Sequence, residues 1–328
     1  MMKVLLNEEE NMLKNLFYEI VQSNAENKID ELWRAVEETG ALEIGLPAYL
    51  NGAELGFEAE LLCAQTFGEF AYPDLYLENA FSRGLIIDHL KENVPLDWLN
   101  KKIIVLSDAK LHVSWIEQQM KIKGECNYIP FADQADYFLI IEQNQISLIC
   151  NNPEYIQYHV EKYMKESYLF RLEFMANLFT PVMTFPLSKD SLDEQYMKSF
   201  LRKAAYFNGI CIGMIQTTIK YTRSRYQFGK PLLQLQTLSH RLALLQTEAL
   251  AMNKLLIYIA SLVNQSYSLT NVQSIFNLNA NQAQKTVKEC THFHGAYGMT
   301  FSSSSQKYYT QTMIQSLLWT NAYENTFD

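Results

Sequence analysis

The segment Tyr221–Gln236, reading YTRSRYQFGKPLLQLQ, sets Arg225, Gln227, Phe228 and Gly229 almost side by side. Arginine offers a planar fork of donors that matches phosphate oxygens two at a time. Gln227 adds an amide, and the Phe228 ring can stack on a base or pack against a sugar. Gly229 lets backbone approach a ligand closely. Helical sequence precedes the group, Lys230-Pro231 breaks it, and a helix resumes through Gln236, His240 and Leu244. A cation, an amide and a ring at one helix junction suit a nucleotide diphosphate. The plain alternatives are a solvated helix charge at Arg225, an ordinary core ring at Phe228, and a cap or subunit contact at Gln236.

A second group, His292-Phe293-His294-Gly295-Ala296-Tyr297-Gly298-Met299-Thr300, has two glycines three apart between helical runs. It reads as a helix-ending turn with glycine in a left-handed position, or as a backbone cradle for an anion. His292 and His294 stand one residue apart, which is not metal spacing on a helix, and no third ligand is evident. A metal site is not expected. Near the C-terminus, Ala322-Tyr323-Glu324-Asn325-Thr326 carries a carboxylate, Glu324, which on its own reads as part of a frayed acidic tail.

The elements that must hold these groups are legible in the hydrophobic pattern. Leu13, Leu16, Phe17 and Ile20 recur at helical steps, as do Ile29, Leu32, Trp33 and Val36. Between 101 and 178 the character changes. Ile103–Leu106, Phe138–Ile141 and Ile146–Ile149 are short β-branched and aromatic runs punctuated by Asn144 and Asn151-Asn152-Pro153. Helical periodicity returns at Leu192 and holds to about Leu318. The order is helix, strand, helix, and the expected class is α+β, mostly α, with a helical part (1–98), a short central β part (99–185) and a second helical part (186–328).

Composition narrows the function. Of 328 residues, 48% are hydrophobic and 19% charged, as in ordinary globular proteins. A formal charge of −9 argues against nucleic acid, which demands a basic footprint. Five scattered cysteines without a C-x-x-C pair favour reduced thiols in the cytoplasm over disulfides or zinc. MMKVLLNEEE places charge directly after a short apolar run, so no signal peptide is expected. The apolar stretch Ala243–Val263 carries Gln246, Glu248, Asn253 and Lys254, which fits a buried or amphipathic helix rather than a membrane span.

Arg225, Gln227, Phe228, Gly229, Pro231 and Gln236 resemble the R-x-Q-F-G-x-P…Q block of the acyl-CoA dehydrogenase family. His292–Thr300 resembles its Q-x-H-G-G-x-G-x-T block, with His292 in place of glutamine and Ala296 in place of the second glycine. Weaker echoes are Leu32-Trp33, Gly40–Pro47, Leu55-Gly56 to Glu69, and Gly124 to Asp136. The resemblance implies an N-terminal helical domain (1–98), a small central β domain (99–185) and a C-terminal four-helix bundle (186–328), and FAD-dependent removal of two hydrogens from the α and β carbons of an acyl thioester, carried on CoA or on an acyl-carrier protein. It implies flavin held between subunits of a dimer or tetramer, with Arg225, Gln227, Phe228, Gln236, His292, Gly295 and Ala296 as cofactor contacts. The electron acceptor stays open, with an electron-transfer flavoprotein as one candidate. Arg202-Lys203 or Lys220 would meet the 3′-phosphate of CoA, unless they are solvated helix charges.

The chain also departs from the pattern. The family's flavin-ring strand, a Thr or Ser near a Trp, has no clear counterpart, since Ser114-Trp115 lies on the wrong side of Gly124. Glu324 matches the family's Y-E-G-T base in letters but falls late relative to Tyr308-Tyr309. The second branch of the family takes its base from the place of Ser199. Two readings follow: a dehydrogenase with Glu324 as base, or a catalytically degenerate partner subunit supplying only the trans half of a flavin site.

Overall fold

A computed structural model of the chain describes residues 8–23, 31, 33–34, 37, 40, 43–73, 75–91, 94, 98, 101–106, 111–142, 144–161, 168–262, 268–300 and 302–323. Helices α1 (Glu8–Ser23), α2 (Phe57–Glu69) and α3 (Leu75–Leu90) come first. Strands β1 to β8 fill the stretch from Ile103 to Pro186. Helices α4 (Lys189–Ser224), α5 (Gln236–Ala260), α6 (Leu269–Phe293) and α7 (Ser305–Tyr323) follow. The order helix, strand, helix is the one the periodicity predicts. In space the chain forms two compact units, Met1–Pro73 with Met197–Ile314, and Asp74–Tyr196 with Gln315–Asp328.

The first unit is a helical bundle built around α4, a helix of 36 residues. Its residues 199–211 are buried without interruption, so this stretch has no solvent face. A methyl group on Gly209 would come within 2.0 Å of the Gln65 carbonyl oxygen, so α2 and α4 cross at backbone distance. Beside that crossing, Gln65 Nε2 donates to Asn208 Oδ1 at 2.8 Å and to Asn253 Oδ1 at 2.9 Å. Asn208 Nδ2 donates in turn to the Ala249 carbonyl. This satisfied polar chain fixes the registers of α2, α4 and α5 together. Helix α1 buries Phe17 and Val21, and its Lys14 reaches the buried Glu69 at 2.7 Å. The repeat Ile29–Val36 lies largely outside the described residues; Trp33 is buried.

Helix α5 is long and apolar enough in composition to cross a membrane, with a mean hydropathy of 1.3 over its most apolar window. Its buried stripe, Leu242, Leu245, Ala249, Asn253, Leu256 and Ile259, packs within the bundle. Lys285–Glu248 and Arg241–Glu289 ion pairs link it to α6.

The second unit carries two sheets. One has β1 (Ile103–Leu106) parallel to β4 (Tyr137–Ile141), followed by antiparallel β5 (Gln145–Cys150) and β8 (Met183–Pro186). Phe138-Leu139-Ile140 and Ile146–Ile149 are buried in unbroken runs, as strands covered on both faces must be. Helix α3 supplies one cover; Ser82 Oγ donates to the Ile103 carbonyl at 2.8 Å. The other sheet is antiparallel throughout, in the order β2 (His112–Ile116), β3 (Gln119–Pro130), β7 (Leu169–Phe179), β6 (Ile156–Val160). Here burial alternates: Phe170, Leu172 and Phe174 face inward, while Glu173 and Met175 are exposed. Short apolar runs mark the first sheet in the sequence. The second, whose strands mix charge with apolar residues, was not separately marked.

Candidate functional site

Helix α4 ends at Ser224, and the chain turns at once into a two-stranded ribbon. Tyr226–Gln227 (β9) pairs antiparallel with Lys230–Pro231 (β10), Gln227 opposite Lys230 and Tyr226 opposite Pro231. The two-residue loop is Phe228-Gly229, with φ of 55° and 76°. Positive φ at both positions is the type I′ geometry, whose twist matches paired strands and which normally selects Asn-Gly. A phenylalanine there carries a left-handed cost of about 1–2 kcal/mol. Its ring stands 84% exposed, so burial within the unit does not offset that cost. The sequence predicts a helix break at this point; the structure makes it a projecting hairpin.

Arg225 is pinned through its backbone. Its N–H donates to the Tyr221 carbonyl at 2.9 Å, and its carbonyl accepts from the Leu232 N–H at 2.9 Å. The side chains of Arg225 and Gln227 are exposed beside Phe228. Gln236 opens α5 and is exposed; the residue before it, Leu235, provides no side-chain cap.

The second motif closes α6. His294 follows its last turn, Gly295 takes φ 61°, and Gly295–Met299 form a short 3-10 turn. Space is open where a Gly295 side chain would stand, so the backbone there is accessible. Gly298 is the opposite case: a methyl group would lie 2.5 Å from the Thr291 carbonyl oxygen. His292 and Ala296 are exposed, whereas His294 is buried.

Tyr221 joins the two motifs. Its ring stacks on His294 at 4.3 Å and 8°, and runs parallel to Tyr297 at 5.7 Å and 12°. Its hydroxyl donates to the His294 carbonyl at 3.2 Å. Thr218 Oγ1 donates to the Met214 carbonyl, so the 3.1 Å contact between His294 Nε2 and Thr218 Oγ1 makes the histidine the donor. His294 is therefore held as the neutral Nε2–H tautomer, and burial holds its pKa below the ordinary value. Among the described residues its buried Nδ1 has no hydrogen-bond partner. Sequence reasoning placed no role on His294. The signal available was its position next to a glycine that ends a helix.

Arg225, Gln227, Phe228 and the open Gly295 backbone thus come from two segments tied together by one tyrosine. A guanidinium, an amide and an exposed ring on one hairpin are groups that could hold a nucleotide diphosphate.

Glu324 lies outside the described residues. Ser199 is buried at 3% exposure, and Arg202 and Lys203 are buried rather than solvated. Arg202 Nε meets Glu60 Oε2 at 2.6 Å, which takes Arg202 away from a CoA phosphate. Lys220 is exposed. Trp115 donates from Nε1 to Glu142 at 3.1 Å. Cys211 and Cys290 are buried, and burial pushes both thiols up to about 12, so neither is a nucleophile. A crevice lined by Glu58, Leu61, Gln65, Ala205, Asn253 and Ile257 has room for about one water. It is too small for an acyl chain.

Residues 201–318 match the family described as acyl-CoA dehydrogenase, C-terminal domain. Acryloyl-CoA reductase (NADH) of Anaerotignum propionicum is 29% identical over 119 residues, 36% of this chain; the match spans 29% of that protein's length. Among solved structures, a glutaryl-CoA dehydrogenase from Mycobacterium smegmatis in complex with FADH2 aligns over 96% of this chain and 91% of its own. Its TM-score is 0.82 at 16% identity. The ChsE4–ChsE5 complex from Mycobacterium tuberculosis aligns over 99% and 96%, with TM-score 0.80 at 17% identity. Residues 201–318 thus carry the likeness to the acyl-CoA dehydrogenase C-terminal domain, and along nearly its whole length the chain shares the fold of these solved structures.

Proposed function

We propose that this chain is a subunit of an FAD-dependent oxidoreductase that desaturates an acyl thioester between its α and β carbons. One observation carries the reading. Arg225, Gln227 and a strained Phe228, 84% exposed, project on a hairpin that starts one helical turn after Tyr221, whose ring and hydroxyl contact His294, the residue before the open Gly295. Such a set gains from binding what it does not gain from folding. The ligand lies against a neighbouring subunit, where Phe228 covers the adenosine and Arg225 meets the diphosphate. Bound FAD supplies the hydride acceptor for Cβ. In this reading Glu324 takes the α-proton, which the thioester carbonyl acidifies.

A second reading has one observation in its favour. Ser199 occupies the alternative base position, and the nearby carboxylate Glu60 is engaged by Arg202. A chain without a base contributes only the trans half of a partner's flavin site. The ChsE4–ChsE5 structure, a complex of two different chains with this fold, supports such an arrangement.

The visible spectrum of the purified chain separates the two. Flavin absorption that an acyl thioester bleaches anaerobically, and that Glu324→Gln leaves unbleached with flavin still bound, supports the dehydrogenase. A colourless chain that turns yellow only when co-expressed with a homologue supports the partner subunit. A chain that takes up no flavin in either form would overturn both.

A further inference from the structure

We infer that Tyr221 is the positioning residue of the cofactor surface, setting the distance between the hairpin and the Gly295–Met299 turn. The inference rests on the flavin reading above and deepens it. Arg225 and Gly295 belong to segments far apart in the chain, and a ligand that touches both needs them in fixed register. The Tyr221 side chain contacts the turn, and its place one helical turn before Arg225 carries that contact to the hairpin. The Arg225 N–H bond to the Tyr221 carbonyl at 2.9 Å is the closing backbone bond of α4, after which the hairpin begins. The Tyr221 hydroxyl donates to the His294 carbonyl at 3.2 Å, one residue before the left-handed Gly295. Its ring lies parallel to His294 at 4.3 Å and to Tyr297, within the turn, at 5.7 Å.

His294 keeps this arrangement from sliding. Its imidazole is 3% exposed and donates from Nε2 to Thr218, three residues before Tyr221 on α4. One buried ring therefore grips α4 at two successive positions. Its Nδ1 has no partner among the described residues, so packing rather than complete hydrogen bonding decides the placement. Tyr221 touches no ligand in this account. It acts through Arg225 and the turn.

The test compares Tyr221→Leu, which removes the stack and the hydroxyl, with Tyr221→Phe, which keeps the ring. Arg225→Ala reports on the flavin reading itself. FAD affinity is read by flavin fluorescence on the protein as expressed, with its partner chain if it has one. Hydrogen exchange at residues 226–230 and 295–300 is read without flavin. Tyr221→Leu is expected to weaken FAD binding by about tenfold and to raise exchange in both segments together. Tyr221→Phe is expected to restore most of both. Wild-type FAD affinity and unchanged exchange in Tyr221→Leu would overturn the inference. If Arg225→Ala binds FAD as the wild type does, the flavin reading fails; joint loss of protection in Tyr221→Leu would still show the positioning. Tyr297→Leu attacks the same stack from an exposed position, so it serves if Tyr221→Leu does not fold, with the same outcomes deciding.

Discussion

The Arg202 guanidinium donates to the Glu60 carboxylate at 2.6 Å, an ion pair that ties α4 to α2 within the bundle. Arg202 also lies 5.4 Å from the Phe57 ring centroid. Gly45 leaves room for the acid, since a methyl group there would stand 2.0 Å from Glu60 Oε1. Removing one member of such a pair strands the other charge. Glu60→Ala is expected to lower the unfolding free energy by about 3–5 kcal/mol, and Glu60→Gln, which keeps an acceptor oxygen, by less. Denaturant unfolding measures both, and an alanine variant as stable as the wild type would show that the pair contributes nothing.

Phe228 holds a conformation that asparagine adopts more readily. Phe228→Asn should raise the unfolding free energy by about 1 kcal/mol while weakening FAD binding about tenfold or more. Gain on one axis with loss on the other is the signature of a residue kept for a ligand. A variant that loses stability and binds flavin normally would count against that role.

His294 gives the bundle a pH dependence of known sign. Its folded pKa lies below the ordinary 6.5 because burial disfavours the charged ring. The unfolded chain therefore takes up a proton first, and stability falls as pH drops below about 6.5, levelling below the folded pKa. His294→Phe keeps a ring for Tyr221 and removes both the titration and the unpartnered Nδ1. Its melting temperature should stay flat between pH 6.5 and 5, where wild type declines. Equal slopes for the two proteins would rule out His294 as the source.

Gly295 and Gly298 differ in why alanine fails. Gly295→Ala meets open space but keeps φ 61°, a cost of about 1–2 kcal/mol. Gly298→Ala drives a methyl group against the Thr291 carbonyl and the His294 side chain, at 2.5 and 2.8 Å, and the turn must shift. We expect the second to be the more destabilising in thermal unfolding and to raise hydrogen exchange at Tyr297. The reverse order would mean that backbone strain outweighs packing here.

The class and the helix–strand–helix order were legible in local features. Leu13–Ile20 announced a helix and Phe138–Ile141 a strand, because each depends on neighbours within a few residues. Arg202 and Lys203 show the limit. Charge alone implies a solvated face, yet both are buried in the central helix, which only the packing around α4 reveals. Likewise a break at Lys230-Pro231 was legible, but the hairpin with both φ positive at Phe228-Gly229 depends on Gln227 pairing with Lys230.

The sequence by itself determined which side chains could meet a dinucleotide and in what order they occur. The tertiary structure alone decided that the helix end before Arg225 meets the turn at Gly295, through the Tyr221–His294 stack, a contact spanning 73 residues of chain. Contacts at that separation arise when helices pack, and no periodicity along one helix encodes which ring of another it will meet.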